Sequence, residues 1–547
     1  MQSPVDVWYN IHHMEKVATD IYTFSELRKE GFTYVDKTDA LYAMASGETG
    51  KQFFIARPRR FGKSLAVSTL KSLFLGEREY FNGLAIEPKW DWSKKWPVLH
   101  LDMGSMQAPD VAEFRELLMA HLRRRAAELG ADKVEGDIPS VLFTNLIDAL
   151  AAKSPDGRMV LLVDEYDKPL LGHLMKPDVT EFRDELKAFY SVIKTLESKQ
   201  RFTFITGVSK FSKVSIFSDL NNLKDWTMHP KAATLFGYTY EEVLKYFPGC
   251  IHELAEAKGL ADKGAFDKIV EWYDGYKFHP EAKPVINPVS LGLCFDRNEF
   301  NNYWAETAMP TFLADILGRK PLDFSRIDIS EAELGNYEPS NPRGVTLLYQ
   351  TGYLTISGFR DVGGSRLYSL DFPNREVRES FLHAIAPVYS GLGEDAAGSA
   401  QIAAITALWD HDVPKFLKAL KTFFSGIPYS LTDRQNEQMW QTIVYVVLRL
   451  IGVSANGEVE THDGRIDLVA QTPGDIYIVE FKLDRPAVEA MEQIKGKDYA
   501  GKYALSGKRI TLVAISFSAE KRTIVEELVE ELPASRIAQE SNPVNPV

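Results

Sequence analysis

Short, evenly apolar runs alternate along the chain with longer stretches of helical period. Phe53-Phe54-Ile55-Ala56, Val98-Leu99-His100-Leu101, Met159-Val160-Leu161-Leu162-Val163 and Phe202-Thr203-Phe204-Ile205 are such runs. They are too short for helices and too uniformly apolar for half-exposed strands, so they predict strands buried on both faces of a parallel sheet. Between and after them, apolar residues recur at helical spacing over Lys63–Phe74, Val111–Leu129, Val141–Ala151 and Glu181–Leu196. Strands alternating with helices predict an α/β fold.

Beyond this region the pattern changes. Glu241–Phe247 and Ala265–Trp272 read as lid helices, Asn287-Pro288-Val289-Ser290 starts another, and Asn301-Asn302-Tyr303-Trp304 opens a helix-rich stretch through Leu317. Asp323–Arg343, with several acids and prolines, reads as a connector. Val345–Ser357 and Arg366–Leu370 read as short strands. Near the C-terminus, Gly464–Ala470 and Ile476–Lys482 flank the turn residues Thr472-Pro473-Gly474-Asp475, which predicts a hairpin. The tail from Ala534 is polar and proline-containing and is expected to be disordered.

The first chemistry lies where the first strand meets its helix. Arg57-Pro58-Arg59-Arg60-Phe61-Gly62-Lys63-Ser64 has the shape of a phosphate-binding loop. Backbone N–H groups and the helix N-terminus would hold phosphates, Lys63 would reach their charge, and the Ser64 hydroxyl would help hold Mg²⁺. Arg57 stands where the first glycine of G-x-x-x-x-G-K-[ST] belongs. Asp164 and Glu165 end the Met159–Val163 run: Asp164 is placed to hold the Mg²⁺ shell, Glu165 to orient or deprotonate an attacking water. The alternative is a buried strand ending in a solvated polar turn, Tyr166-Asp167-Lys168. Asp102 ends a competing strand but lacks a following Glu, so Val98–Asp102 reads as a strand inserted between the two motifs. Ser209 and Lys210, after the Phe202–Thr206 strand, could sense a γ-phosphate or merely form its exit. Arg57, Arg59 and Arg60 could touch the nucleotide, act as fingers on a neighbouring subunit, or pair with acids.

The run from Tyr34 to Ile86, with its RPRRFGKS loop, resembles the start of the bacterial AAA-ATPase-like family. VLLVDEYDKP, TGVSKFSKVSIFSDLNNL, WYDGYKF and NPVS carry the resemblance further. It implies a P-loop ATPase with an additional strand, makes the missing glycine part of the family pattern, and points to ATP with Mg²⁺. Arg59, Arg60, Phe61, Gly62, Lys63, Ser64, Asp164 and Lys210 are then the nucleotide-site residues, Ser64 and Asp164 the Mg²⁺ contacts and Glu165 the catalytic base. Tyr34, Asp36 and Lys37 lie in a family motif without an assigned role.

The second chemistry is on the predicted hairpin. Glu480 and Lys482 share one strand face, and folding about Pro473 puts Asp467 nearly opposite them. The two carboxylates would offer hard oxygen ligands to Mg²⁺ or Mn²⁺, and Lys482 would position water or stabilise developing charge. Glu437, on a helix beginning near Asn436, is a further metal-ligand candidate, and Gln493 could brace the site. The plain alternative is a solvated Glu480–Lys482 pair on an edge strand. The D-(x)n-E-x-K spacing, together with FPNREVRES, FFSGIPY, NEQMW and EQIKGKDYA, resembles the PD-(D/E)XK nuclease superfamily, except that Ile466 rather than proline precedes Asp467. That resemblance implies a restriction-endonuclease-like α/β domain with Asp467, Glu480 and Lys482 as catalytic residues.

These readings divide the chain into an ATPase domain at 1–235, a helical lid at 236–320, a mixed connector at 321–430, a nuclease-like domain at 431–533 and a tail at 534–547. The length of 547 residues leaves room for all of them. A net charge of −13 argues against a surface that coats DNA nonspecifically, though not against a local basic groove. Arg123-Arg124-Arg125 reads as a solvated helix face. Cys250 and Cys294 are too far apart in sequence to suggest a disulfide framework or zinc site. No apolar run is long enough to span a membrane, and the N-terminus does not read as a signal peptide, so a cytoplasmic location is expected. The expected function is ATP hydrolysis coupled to metal-dependent cleavage of nucleic acid, DNA rather than RNA, with homo-oligomerisation possible. A role in defence or mobile-element biology rests on the domain combination alone. The alternative is a nucleotide-operated switch or scaffold whose nuclease-like fold binds without cutting.

Overall fold

The computed structural model describes residues 15–174, 176–210, 222–304, 327–335, 343–390, 394–425, 454–461, 464–472, 474–504, 506–518, 520–521 and 523–532. Glu437, the helix expected near Asn436, the stretch from Ala305 to Leu317 and the tail from Ala534 lie outside them. The chain divides into two compact units. The first holds the described residues up to Trp304 together with Ile329–Glu376, and the second Ile327, Asp328 and those from Val377 onward.

The first unit is built on a five-stranded parallel sheet: β1 (Gln52–Ala56), β2 (Val98–Asp102), β3 (Met159–Asp164), β4 (Gln200–Gly207) and the two-residue β5 (Lys224–Asp225), in the order β2-β3-β4-β1-β5. β1 and β3 are buried along their whole length, as their unbroken apolar runs require. Four helices follow the predicted ones within two residues at each end: α1 (Lys63–Leu75), α2 (Val111–Glu128), α3 (Pro139–Ala151) and α4 (Val179–Thr195). The strand inserted between β1 and β3 is β4. Val98–Asp102 lies between the two motifs in sequence, but in the sheet it forms the outer edge beside β3. Chain order does not fix sheet order, because each helical crossover can carry the chain past a neighbouring strand.

α5 (Tyr240–Tyr246), α6 (Pro248–Lys258), α7 (Asp262–Tyr273) and α8 (Pro288–Arg297) form a helical cluster around a core that includes Phe247, Leu254, Phe266, Ile269, Leu291 and Phe295. Lys37 ties the family motif to this helical cluster: its ammonium donates to the Glu242 carboxylate at 2.6 Å and to the Thr234 carbonyl at 2.8 Å. Glu242 closes a capping box with Thr239 at the start of α5. Asp36 caps its own turn by accepting from the Thr38 N–H and hydroxyl, and it also accepts from the Ala85 N–H.

One predicted strand is largely a helix. Gly344–Thr351 forms α9, ended by Gly352 at φ 89°, and only then does the chain enter β6 (Thr355–Val362), which pairs with β7 (Ser365–Asp371). The run Thr346-Leu347-Leu348-Tyr349 has strand-like composition but is buried as a helix, so tertiary packing overrides local propensity.

The second residue of α10 (Arg375–Ser390) is Glu376, which is fully buried. Its carboxyl accepts from the Trp304 N–H at 2.7 Å, and the Tyr303 backbone and the Ser290 side chain lie close enough to moderate its charge. Burial pushes its pKa up to about 8. A carboxyl whose folded pKa is raised favours the fold when protonated. Its contribution is therefore present below the ordinary carboxylate range near 4.5 and is lost as pH rises through about 8. We expect thermal stability to fall from pH 5 to pH 9 with a component of at most ~1.4 kcal/mol per pH unit from this group. Glu376→Gln should flatten it; an unchanged slope in that variant would contradict the assignment.

The second unit contains α11 (Glu394–Trp409) and α12 (Val413–Ser425), then β8 (Ser454–Thr461), β9 (Gly464–Gln471), β10 (Asp475–Leu483), α13 (Ala487–Gly496), β11 (Arg509–Ser518) and β12 (Thr523–Leu532). The sheet order is β12-β11-β10-β9-β8; β10 and β11 are parallel and the other pairs antiparallel. α13 is the crossover between the parallel pair, and Ala490 and Ile494 pack against Ile478 and Leu512.

Candidate functional site

The phosphate loop leaves β1 and bends at two left-handed residues, Arg60 at φ 66° and Gly62 at φ 83°. Gly62 then caps α1. Arg57, at the position of the usual first glycine, is not left-handed among the described residues; its N–H instead extends the β1–β4 pairing by donating to the Gly207 carbonyl at 3.0 Å. The guanidinium turns into the protein, not toward a ligand. It is 1 % exposed and donates to the carbonyls of Ala56, Thr227 and Ala232 at 2.7–2.8 Å. It lies 4.1 Å over the Phe278 ring, and burial lowers its pKa to about 10. Phe61 packs edge-on against Tyr276 and Phe278, so the WYDGYKF segment holds the loop from behind.

The other loop residues divide between scaffold and site. The Arg59 carbonyl accepts from the Asn287 side chain at 3.5 Å, and Arg60 donates to the Tyr303 carbonyl at 3.1 Å. Lys63 is buried, and its ammonium donates to the Arg57 and Pro58 carbonyls at 3.1 and 2.8 Å, inside the curve of the loop. Burial lowers its pKa, opposed mainly by Asp164. Burial raises the pKa of Asp164, and the nearby Ser64 side chain pulls the other way. Lysine, serine and aspartate thus meet at the C-terminal ends of β1 and β3, where a phosphate and its cation would need them.

Glu165 follows in the left-handed region at φ 51°, and its N–H donates to Asp164 Oδ1 at 2.9 Å. A non-glycine residue held there is uncommon and is found preferentially at functional positions. Asp102 is the register partner of Asp164. A Cβ added at Gly104 would stand 3.0 Å from both Asp102 Oδ1 and Glu165 Oε2, so the edge strand brings a further acid beside the expected base. Strand-end position was the available signal, since β2 and β3 both end in aspartate.

The Tyr166-Asp167-Lys168 turn is not solvated at its core. Tyr166 and Asp167 are buried, and Asp167 accepts from the N–H groups of Val208 and Ser209 and from the Ser209 hydroxyl at 2.5 Å. A side chain at Gly207 would strike Asp167 Oδ1 at 2.3 Å. Ser209 is therefore tied to the β3 exit. Lys210 pairs with Asp225 at the end of β5 at 2.5 Å, and its N–H donates to Gln350.

In the second unit the register realises the predicted convergence. Leu468 pairs with Val479, which sets Asp467 against Glu480. Asp467 Oδ2 accepts from the Phe481 N–H at 2.9 Å, and Lys482 Nζ lies 3.4 Å from Glu480 Oε1 and 3.0 Å from the Phe481 carbonyl. Glu480 is 1 % exposed, and Lys482 is buried too, which removes the reading of a solvated edge pair; β10 is a central strand. Burial, then the Asp467 charge, push the Glu480 pKa up to about 7. A buried carboxylate and a half-buried one facing each other repel, and a divalent cation between them would relieve that repulsion, so the donor set fits Mg²⁺ or Mn²⁺. Gln493, on α13, contacts the Tyr499 hydroxyl at 3.4 Å.

Residues 18–217 match the family model described as a predicted AAA-ATPase, AAA-ATPase-like, and residues 435–527 match that of the PD-(D/E)XK nuclease superfamily. The chain is 36 % identical over 531 residues to a protein of Azotobacter chroococcum mcd 1, named as an uncharacterized protein in the vnfD 5′ region; the match covers 95 % of this chain and 99 % of that one. The chain belongs to the AAA-ATPase-like family. No solved structure matches it.

The AAA-ATPase-like domain accordingly carries the phosphate loop, β3 and β4, and the PD-(D/E)XK domain carries the Asp467–Lys482 hairpin. WYDGYKF and NPVS lie beyond the first family match and nevertheless contact its loop, through Tyr276, Phe278 and Asn287. No helix among the described residues is long and apolar enough to cross a membrane.

Proposed function

We propose that this AAA-ATPase-like protein binds and hydrolyses ATP at the phosphate loop and uses nucleotide state to control phosphodiester cleavage of nucleic acid at the hairpin. The observation that carries the cleavage half is the convergence of Asp467, Glu480 and Lys482 on buried, paired strands, with Glu480 shifted to about 7. A degenerate binding fold has no need to keep a buried carboxylate facing a second, half-buried one that repels it.

At the first site, Lys63 and the loop N–H groups bind the phosphates, Ser64 and Asp164 hold Mg²⁺, and Glu165 takes the proton of the attacking water. At the second, Asp467 and Glu480 hold a divalent cation, with Glu437 a further ligand candidate. The bound metal would polarise the phosphodiester and acidify water. Lys482 orients that water and stabilises the negative charge that develops at phosphorus. Lys210 reports the γ-phosphate only if it leaves Asp225. DNA is the favoured substrate, the cytoplasm the favoured location, and defence against foreign DNA the favoured setting. Self-association remains part of the reading, as a possible source of an arginine finger.

The test measures ATP turnover and cleavage of single-stranded, duplex and branched DNA and of RNA, with Mg²⁺ or Mn²⁺. Lys63→Ala should abolish nucleotide binding, and Glu165→Gln should lower turnover by about 10²–10³-fold while retaining binding. Unchanged turnover in Glu165→Gln would remove it as the base. Absence of cutting on every substrate, with and without ATP, would leave a nucleotide-operated switch whose C-terminal domain binds without cleaving.

A further inference from the structure

Three arginines stand in the phosphate loop, and the fold commits two of them to the protein itself. Arg57 donates to the Ala56, Thr227 and Ala232 carbonyls, and Arg60 donates to the Tyr303 carbonyl. Arg59 differs from both. It is exposed, and among the described residues its guanidinium makes no hydrogen bond and no ion pair. Its backbone, in contrast, is held. The Arg59 carbonyl accepts from the Asn287 side chain at 3.5 Å, and a Cβ at Gly352 would stand 2.7 Å from the Cβ of the preceding Pro58. The position of Arg59 also has an electrostatic cost. Burial is the main cause of the low Lys63 pKa, and the positive charge of Arg59 adds to it, so the two cations repel. An anion lying over the loop would turn that repulsion into a two-cation clamp. Lys210, after β4, is already paired with Asp225 at 2.5 Å.

We propose that Arg59 is an arginine finger supplied in cis: its guanidinium moves onto the γ-phosphate of ATP bound to its own loop and stabilises the charge on the phosphoryl group in flight. The inference rests on the ATPase reading above and adds the source of the second cation, which then need not come from another copy of the chain. In the step, the water oxygen bonds to the γ-phosphorus as the bond from that phosphorus to the β–γ bridging oxygen breaks. The electron pair of the broken bond leaves on ADP, and the proton of the water passes to Glu165. Charge spreads over the three equatorial oxygens of the transferring group. The planar fork of an arginine can donate to two of them at once, which the point charge of Lys63 does not. Arg59 can make this movement without breaking a bond, whereas Arg57 would have to abandon three buried carbonyls.

The experiment uses the full chain and its Arg59→Ala, Arg59→Lys and Lys63→Ala variants with Mg²⁺. It measures ATP turnover and the equilibrium binding of ADP with and without aluminium fluoride, which mimics the phosphoryl group in flight. Arg59→Ala should lower turnover by about 10³-fold and abolish the tightening of ADP binding by aluminium fluoride. Binding of ADP alone should be unchanged, which also shows that the loop is still folded. Arg59→Lys keeps the charge without the fork and should recover turnover only in part. Turnover per chain should not depend on protein concentration. Lys63→Ala keeps Arg59 but loses the nucleotide, so mixing it with Arg59→Ala should restore nothing. Rescue in that mixture would move the finger to a neighbouring copy and overturn the cis assignment. Unchanged turnover and an unchanged aluminium fluoride response in Arg59→Ala would overturn the finger and leave the ATPase standing. A wild-type chain that neither binds ADP nor hydrolyses ATP would overturn both.

Discussion

Arg57→Gly, the change that restores the usual phosphate-loop glycine, is expected to destabilise the first unit by about 3–5 kcal/mol. The guanidinium is 1 % exposed and satisfies the Ala56, Thr227 and Ala232 carbonyls, the last two 170 and 175 residues away in sequence. Removing it strands buried acceptors at about 1–3 kcal/mol each and empties the space over Phe278. Glycine gives nothing in return, because the backbone at Arg57 is not left-handed. The left-handed bend falls on Arg60, at φ 66°. There Arg60→Gly relieves roughly 1 kcal/mol of backbone strain against the loss of one bond to the Tyr303 carbonyl. Thermal unfolding of the two variants should therefore diverge: a large drop for Arg57→Gly and a change within about 1 kcal/mol for Arg60→Gly. Equal effects would show that Arg57 is not the anchor its bonds imply.

Under the proposed function, Asp467→Asn should lose nucleic-acid cleavage by at least about 10²-fold and yet make the metal-free protein no less stable. The carboxylate, itself half-buried, faces buried Glu480 and is the second cause, after burial, of the shift of Glu480 to about 7. Asparagine keeps the shape and an oxygen that can accept from the Phe481 N–H, which now lies 2.9 Å from Asp467 Oδ2. It removes the repulsion and should bring the Glu480 pKa down toward the ordinary carboxylate range. Lys482→Ala should also lose cleavage but should destabilise, because it leaves Glu480 without the cation 3.4 Å away. Cleavage with Mg²⁺ or Mn²⁺, paired with unfolding in chelator, checks both. A marked destabilisation by Asp467→Asn would place Asp467 among structural acids. Opposite stability responses from two variants that both stop cutting would be the signature of a strained site.

Much of the architecture was legible along the chain because buried parallel strands and amphipathic helices leave strong periodic marks. β1, β3 and β4 and helices α1 to α4 fall where apolar runs and spacing put them. The hairpin was equally legible, since its turn residues fix the register and the register alone sets Asp467 against Glu480. The sequence was misleading where packing decides. Thr346–Tyr349 looks like a strand by composition, yet it is buried as a helix.

Sequence by itself determined which residues could do chemistry here: Lys63, Ser64, Asp164 and Glu165 at strand ends, and Asp467, Glu480 and Lys482 on two alternating strands. Local periodicity suffices for that, because side-chain direction repeats every second residue in a strand and strand ends follow the apolar run. Only the tertiary structure decided that β4 rather than β2 separates the two motifs, that Asp102 stands beside Glu165, and that Asp167 is a buried brace rather than a solvated acid. It alone turned Arg57 from a missing glycine into an anchor, because its partners Thr227, Ala232 and Phe278 come from distant parts of the chain and a long-range contact leaves no period to read.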